Sequence, residues 1–270
     1  MSWAEFPFFA IPATLCWLAA GLLACRRTPS SGSGYSAYLV DALAILGIAI
    51  FAVFIAAFWN VLSRPPLRTM GETRLWYALF TILAGYVTYR RWHYPWLLLL
   101  SAIVATTFTL INVLKPEIHS IALMPALQSF LFIPHVIIYI LAYALFGVAT
   151  LAACALLVQR RKRRKGGDNH ELLSFIDNLV SIGFGLLALG LLLGAIWAKE
   201  AWGHYWSWDP KETLAFMTGA AYLVYIHLRH RNQENDVVLW ALPVAFLLLL
   251  LSWFGTALFP GSSLHLYSFS

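Results

Sequence analysis

Charge is scarce in this chain. Only 18 of its 270 residues are Lys or Arg and 12 are Asp or Glu, so 11% is charged, less than half of the ~25% usual in water-soluble domains. Polar linkers are nearly missing too. Residues 29–34 and the pair Gly166-Gly167 are the only flexible stretches, and no boundary of a soluble domain can be drawn. Cysteine is rare and unpatterned. Cys16, Cys25 and Cys154 lie in or beside apolar segments, with no CxxC, no zinc-ligand spacing and no CxxCH. This excludes a dithiol centre and a covalent haem site of the chain's own, and leaves the three to read as small buried hydrophobes. The first apolar run has no basic segment ahead of it; Arg26 and Arg27 follow it, so it reads as a retained span rather than a cleavable signal. The net charge of +6 does not point to nucleic acid. Six of the eighteen basic residues form one run at 160–165, directly after an apolar segment, which is the pattern of a cytoplasmic loop beside a membrane.

What is present is apolar: hydrophobic residues make up 61% of the chain, and several runs reach the 18 or more residues that call for a lipid bilayer. Hydropathy gives eight spans, at residues 6–24, 38–62, 76–89, 96–113, 129–158, 172–197, 213–228 and 239–254. The expected fold class is all-α: a polytopic integral membrane helical bundle of about eight transmembrane helices, forming a single membrane domain over 1–270. The third and seventh spans are short for a bilayer. One alternate set of loops holds twelve Lys/Arg and the other six, so the richer set is cytoplasmic by the positive-inside rule. Both termini and the loops near 64–74, 115–128 and 199–211 then face outward.

Chemistry concentrates in one of those outward loops, at about 197–212. The sequence AIWAKEAWGHYWSWDPKETLAF holds four of the twelve tryptophans between Trp197 and Trp208. An interfacial aromatic belt accounts for one or two indoles. It accounts less well for Trp202, Trp206 and Trp208, which share an eight-residue stretch with Gly203, Tyr205 and Asp209. Large flat apolar faces beside a few polar groups suit a flat, amphiphilic aromatic ligand. Asp209-Pro210-Lys211-Glu212 is also a helix start, with Asp at N-cap, Pro at N1 and Glu at N3. That helix would turn its free N–H groups toward the loop, a favourable field for a ligand carboxylate, with Lys199 and Lys211 close in sequence.

The run at 175–216, FIDNLVSIGFGLLALGLLLGAIWAKEAWGHYWSWDPKETLAF, closely resembles the tryptophan-rich WWD signature of the cytochrome c assembly proteins. The DPKET ending is similar to the CcsA/ResC branch of System II cytochrome c biogenesis, and less to the CcmC branch. Residues 124–143, MPALQSFLFIPHVIIYILAY, resemble that branch's stretch before and into the following helix. The resemblance covers about 65–270; the first sixty residues match in hydropathy alone.

The resemblance implies iron ligation by histidine, and the eight histidines divide by depth. His135 lies 23 residues before Val158, about 35 Å along a continuous helix, which puts it at the outer interface. His265 follows the last span. The family's two external haem ligands stand before and after the WWD loop, where His135 and His265 match, although Leu266 departs from the usual HSY-like ending. His227 sits near the inner end of the seventh span. An interfacial histidine in cytoplasmic water is one reading; the family's intramembrane ligand, completed by a partner subunit, is the other. His204 lies within the loop, within reach of a haem edge, although the family does not require histidine there; His119 is ambiguous, and His93, His170 and His230 fall in inner loops or at span ends. Glu72 stands where the family has an outer-loop acidic residue of unassigned role.

What the resemblance implies is a haem-handling subunit of a cytochrome c synthase. Such a subunit moves or presents non-covalent haem b on the outer face for attachment to the CxxCH motif of an apocytochrome c. Holocytochrome c synthase (haem lyase) activity would be exercised together with a CcsB/ResB-like membrane partner. The implied location is the bacterial inner membrane, with the WWD loop on the periplasmic side. A haem exporter or chaperone without attachment activity and a HemX-like regulator of haem synthesis are the alternatives. A quinol-linked b-type carrier is disfavoured, since it wants paired histidines within the membrane.

Overall fold

The computed structural model describes residues 2–26, 34–115, 129–162, 170–231 and 235–254. His119 and His265 lie outside them. Among the described residues there are eight α-helices and no strand: α1 Phe6–Arg26, α2 Gly34–Leu62, α3 Met70–Trp92, α4 Pro95–Leu114, α5 Phe132–Lys162, α6 His170–Trp202, α7 Pro210–Arg231 and α8 Asp236–Phe254. The protein is thus an all-helical, polytopic membrane bundle. Six of the eight helices are both long and apolar enough to cross a membrane; α3 and α7 are not among them. These two are longer than hydropathy suggested, at 23 and 22 residues against spans of 76–89 and 213–228. Their extra turns are charged, and Glu72, Arg90 and Arg229 there are each held by an opposite charge, so the helix runs on where apolarity stops.

The N-terminal turn of α3 shows how. Thr69 is the N-cap, its side chain accepting from the Glu72 N–H at 3.1 Å while the Glu72 carboxylate accepts back from Thr69 N. Both orphan donors of the first turn are thereby met. Glu72 is only 2% exposed. Its carboxylate also takes two hydrogen bonds from the Arg64 guanidinium, at 2.8 and 2.9 Å, and one from Arg68 N at 2.7 Å. The acidic residue without an assigned role is therefore a buried structural clasp.

Contacts divide the chain into two compact units, residues 1–122 and 123–270. In the first, α1 packs on α2 and α4, α3 packs on α4, and α2 meets α3 lightly. Its core is aromatic, with Phe6, Trp17, Phe51 and Phe54 fully buried. In the second unit α5 packs on α6 and α8, and α7 on α8 and α6. Phe146 of α5 stacks on Tyr222 of α7 at 3.6 Å between ring centroids. Near the far end of α7, Asp177 of α6 accepts from Tyr225 (2.8 Å) and from two nitrogens of Arg229 (2.9 and 2.6 Å). Basic residues close α1, α3 and α7 at their C-terminal turns, where the helix dipole favours positive charge.

Candidate functional site

The tryptophan segment joins α6 to α7. Helix α6 continues through Trp202, five residues beyond the span expected from hydropathy, so only 203–209 leave helical geometry. The helix stops at Gly203, whose φ of +85° is costly for any residue with a Cβ. Gly203 N donates to the Lys199 carbonyl (3.1 Å) and its own carbonyl accepts from Lys199 Nζ (2.6 Å), closing the helix end.

Asp209 caps α7 as the sequence predicts: it is buried, and its Oδ1 accepts from Glu212 N at 2.8 Å. Glu212 reaches back further than a capping box. Its Oε2 accepts from both Ser207 N (2.7 Å) and Ser207 Oγ (3.1 Å), and Thr213 Oγ1 donates to the Trp208 carbonyl (3.2 Å). The loop is thus tied down at both ends, and Trp208 takes a positive φ of 60° between the ties. Its ring stands edge-on to Trp206 (5.6 Å) and Phe216 (5.8 Å) while remaining 63% exposed. Tyr205, 60% exposed, has Lys199 Nζ over its ring at 5.6 Å. Trp206 Nε1 is buried without a hydrogen-bond partner among the described residues. This arrangement offers exposed aromatic faces on a fixed backbone, with one buried donor unused.

The histidine at the start of α5 joins this end of the unit. His135 stacks on Trp197 (centroids 5.9 Å, planes 22° apart), and Trp197 meets Trp202 edge-on at 4.7 Å. Phe132 and Trp197 form a small buried cluster with Val136 and Trp202 packed against it. His135 Nδ1 lies 2.8 Å from the Gly190 carbonyl oxygen. A carbonyl can only accept, so Nδ1 carries the hydrogen and the Nε2 of a neutral ring carries the lone pair. That is the tautomer a metal-binding imidazole needs, fixed by a second hydrogen bond as is usual for such ligands. Among the described residues no three His, Cys, Asp or Glu side chains cluster as a metal site. Haem iron needs none, because the porphyrin supplies four ligands and the protein the axial ones. The residues present therefore fit haem: one oriented imidazole, aromatic faces and a helix N-terminus.

The remaining candidates are placed as follows. His227 is exposed on α7, about 25 Å along the helix from Pro210. It lies on the face opposite the Tyr225–Arg229 pair that grips Asp177, and so is not brought to the tryptophan loop. His204 is exposed within the loop. Lys211 is half-buried; burial pulls its ammonium from 10.5 down to about 8, against the opposing pull of Asp209. Sequence reasoning missed Gly190, Gly194, Ser207 and the loop-tying role of Glu212. Glycines four apart on an otherwise bulky helix were the available signal for the first two.

The family described as cytochrome C assembly protein matches residues 43–263. A cytochrome c biogenesis protein CcsA of Chlamydomonas reinhardtii is 36% identical over 155 residues, 54% of this chain and 43% of that protein. The CcsA of Solanum bulbocastanum is 36% identical over 203 residues, 62% of this chain and 64% of its own length. The matched part is thus less than two thirds of these curated relatives. Among solved structures, a chain named cytochrome c heme lyase CcmF superposes with a TM-score of 0.70 at 18% identity, over 93% of this chain and 46% of its own. That likeness is one of fold. With the family match covering most of the sequence, and CcsA proteins as its relatives, the chain belongs to the cytochrome c assembly protein family, of the CcsA type.

Proposed function

We propose that the chain takes part in cytochrome c maturation as the haem-presenting subunit of a cytochrome c synthase. Haem b is its cargo, held without covalent attachment on the outer face of the membrane. The observation that carries this reading is the His135 imidazole, its tautomer fixed by the Gly190 carbonyl, stacked on Trp197 beside Trp202. His135 and His265 would be the axial ligands. Trp202, Gly203, Tyr205, Trp206, Trp208 and Asp209 would form the platform, with the indole and phenol rings covering the macrocycle. The α7 N-terminus and Lys211 would face its carboxylates. His227 would serve an earlier, intramembrane position together with a CcsB/ResB-like partner, consistent with its exposed place on α7.

Bound haem supplies an iron to be ligated and two vinyl groups; the chain's residues orient it and exclude water. Attachment is the addition of a cysteine S–H of the apocytochrome CxxCH across a vinyl C=C, sulfur to one carbon and hydrogen to the other, with no atom lost. Positioning of the two partners is the protein's contribution. In the same reading the two units form one membrane domain, both termini face outward, and the membrane is the bacterial inner membrane with the tryptophan loop on its periplasmic side.

The test is co-expression of the full chain with the candidate partner and a CxxCH reporter, scored for covalent haem. His135→Gly should lower attachment, and added imidazole should partly restore it, because imidazole refills a ligand-sized gap but cannot mend a fold. His93→Gly should change nothing. Full attachment by His135→Gly without imidazole would defeat the reading. Haem bound with no covalent product in any combination would favour an exporter or chaperone.

A further inference from the structure

The two units repeat one another. Both are closed rings of four helices with the same neighbours, and their inward stripes, buried except for the half-buried His135, keep a constant register. On α1, Phe6, Ala10, Ala13, Trp17, Ala20 and Ala24 fall 129 positions before His135, Tyr139, Ala142, Phe146, Ala149 and Ala153 of α5. On α2, Val40, Ala44, Gly47, Phe51 and Phe54 fall 136 before Ile176, Val180, Gly183, Leu187 and Gly190 of α6. One shift of 140 brings the stripes of α3 and α4 onto those of α7 and α8, Glu72 onto Glu212 and Asn112 onto Ser252 among them. Contacts follow the same register. A Cβ on Gly47 would meet Trp17 at 2.7 Å, and one on Gly183 would meet Phe146, the matching residue, at 2.9 Å.

The matching positions differ sharply at one place. Where unit 2 has His135, unit 1 has Phe6; where unit 2 has Gly190 and Gly194, unit 1 has Phe54 and Phe58. In unit 1 these rings fill the space: Phe6 lies 4.8 Å from Phe54, and Phe54 stacks on Phe58 at 5.6 Å. In unit 2 the two glycines leave a slot, and the imidazole occupies it. Added to Gly194, a Cβ would sit 2.6 Å from His135 Cε1 and 2.8 Å from its Nδ1, and its three nearest atoms all belong to that ring. At Gly190 the backbone carbonyl is the ring's hydrogen-bond partner, and a Cβ there would strike Tyr139 at 2.7 Å.

We infer that the chain consists of two copies of one four-helix unit, of which the first is plugged by Phe6, Phe54 and Phe58 and the second opened by Gly190 and Gly194. These glycines are the positioning residues that seat the His135 imidazole and so decide which unit ligates iron. The inference rests on the haem-presenting role of His135.

The full chain, co-expressed with its partner in haem-replete membranes, is scored for haem b per chain and for the low-spin spectrum of an imidazole-ligated iron. Gly194→Ala should cut the His135-dependent haem about tenfold, as overpacking beside a fixed ring does, and shift what remains toward the spectrum of His135→Gly. Gly185→Ala, where a Cβ meets nothing within 4 Å on the same helix, and Phe6→Leu in the plugged copy should both leave haem content and spectrum unchanged. The double variant His135→Gly, Gly194→Ala should match His135→Gly alone, because the added methyl acts through a ring that is gone. If Gly194→Ala lowers protein yield, the double variant should return to the yield of His135→Gly for the same reason. A wild-type spectrum in Gly194→Ala, effects that add in the double variant, or a yield that stays low there overturns the inference. Loss of haem in His135→Gly with none in Gly194→Ala overturns it alone; no loss in either overturns the role of His135 as well.

Discussion

Replacing Glu212 by Ala tests whether the tryptophan loop is held by its own backbone or only by its rings. The carboxylate of Glu212 accepts from Ser207 N at 2.7 Å and Ser207 Oγ at 3.1 Å. Hydrogen bonds to a charged group contribute about 1.5–3 kcal/mol each. Ser207 is exposed, so water replaces part of what is lost, and about 2 kcal/mol for the pair is the reasonable magnitude. At RT near 0.59 kcal/mol this raises the local opening constant about thirty-fold. Amide hydrogen exchange at Ser207 should quicken by that factor in Glu212→Ala. Glu212→Gln keeps a carbonyl acceptor but no charge, and should quicken it only about five-fold, corresponding to ~1 kcal/mol. The start of α7 has independent support, since Thr213 N donates to the Asp209 carbonyl at 2.9 Å. Protection of the Thr213 amide should therefore survive either change. If Ser207 keeps its wild-type protection, the clasp does not hold the loop. If Thr213 loses protection in step with Ser207, Glu212 is a helix-start residue and nothing more.

Glu72→Ala should destabilise the protein by about 3–5 kcal/mol, the cost of stranding one half of a buried ion pair, because Arg64 is only 17% exposed beside it; a thermal melt in detergent unchanged within 1 kcal/mol would refute this. The Asp41–Arg90 pair of α2 and α3 and the Asp177–Arg229 pair of α6 and α7 should differ: Asp41→Ala faces an Arg90 that is 59% exposed and should cost under ~1 kcal/mol, whereas Asp177→Ala strands an Arg229 that is 12% exposed and should cost about 2–3 kcal/mol, toward the buried-pair range. Equal melts for the two variants would count against burial as the deciding factor. Trp202, Trp206 and Trp208 replaced together by Ala should lower haem occupancy, at about 1 kcal/mol or more per lost aromatic face, while the exposed Trp59 and Trp240 should not; equal losses would restore the interfacial-belt explanation. Lys211, with its pKa lowered to about 8, should acylate with a midpoint near pH 8 rather than 10.5. Its charge opposes folding in full below pH 8 and less as pH rises toward 10.5, so Lys211→Met should remove a gain in stability between about pH 8 and 10.5. A midpoint above 10 would show that the ammonium is solvated.

Legibility in the sequence followed the range of the interactions. The helices were readable because each carries its own apolar run, and the start of α7 because Asp209, Pro210 and Glu212 stand within four residues. Helix ends were readable only where apolarity and helicity stop together. They part company at α3, where Thr69 and Arg64 satisfy Glu72 and the helix begins six residues before the hydropathy does. They part again at α6, which carries Trp202 as a helical residue that the sequence assigns to a loop. The grip of Arg229 on Asp177 and the contact of His135 with Gly190 span 52 and 55 residues, and no local pattern announces either. The glycines are ambiguous in sequence for a further reason. In a membrane span a glycine ordinarily marks a close helix crossing, which is what Gly183 does beneath Phe146. At Gly194 the same absent side chain makes room for an imidazole instead. The two uses look alike in sequence, and they separate only when the residue facing the glycine is known. The matching ring of unit 1 supplies that distinction from within the same chain, because Phe6, Phe54 and Phe58 show what fills the space when no imidazole has to stand there.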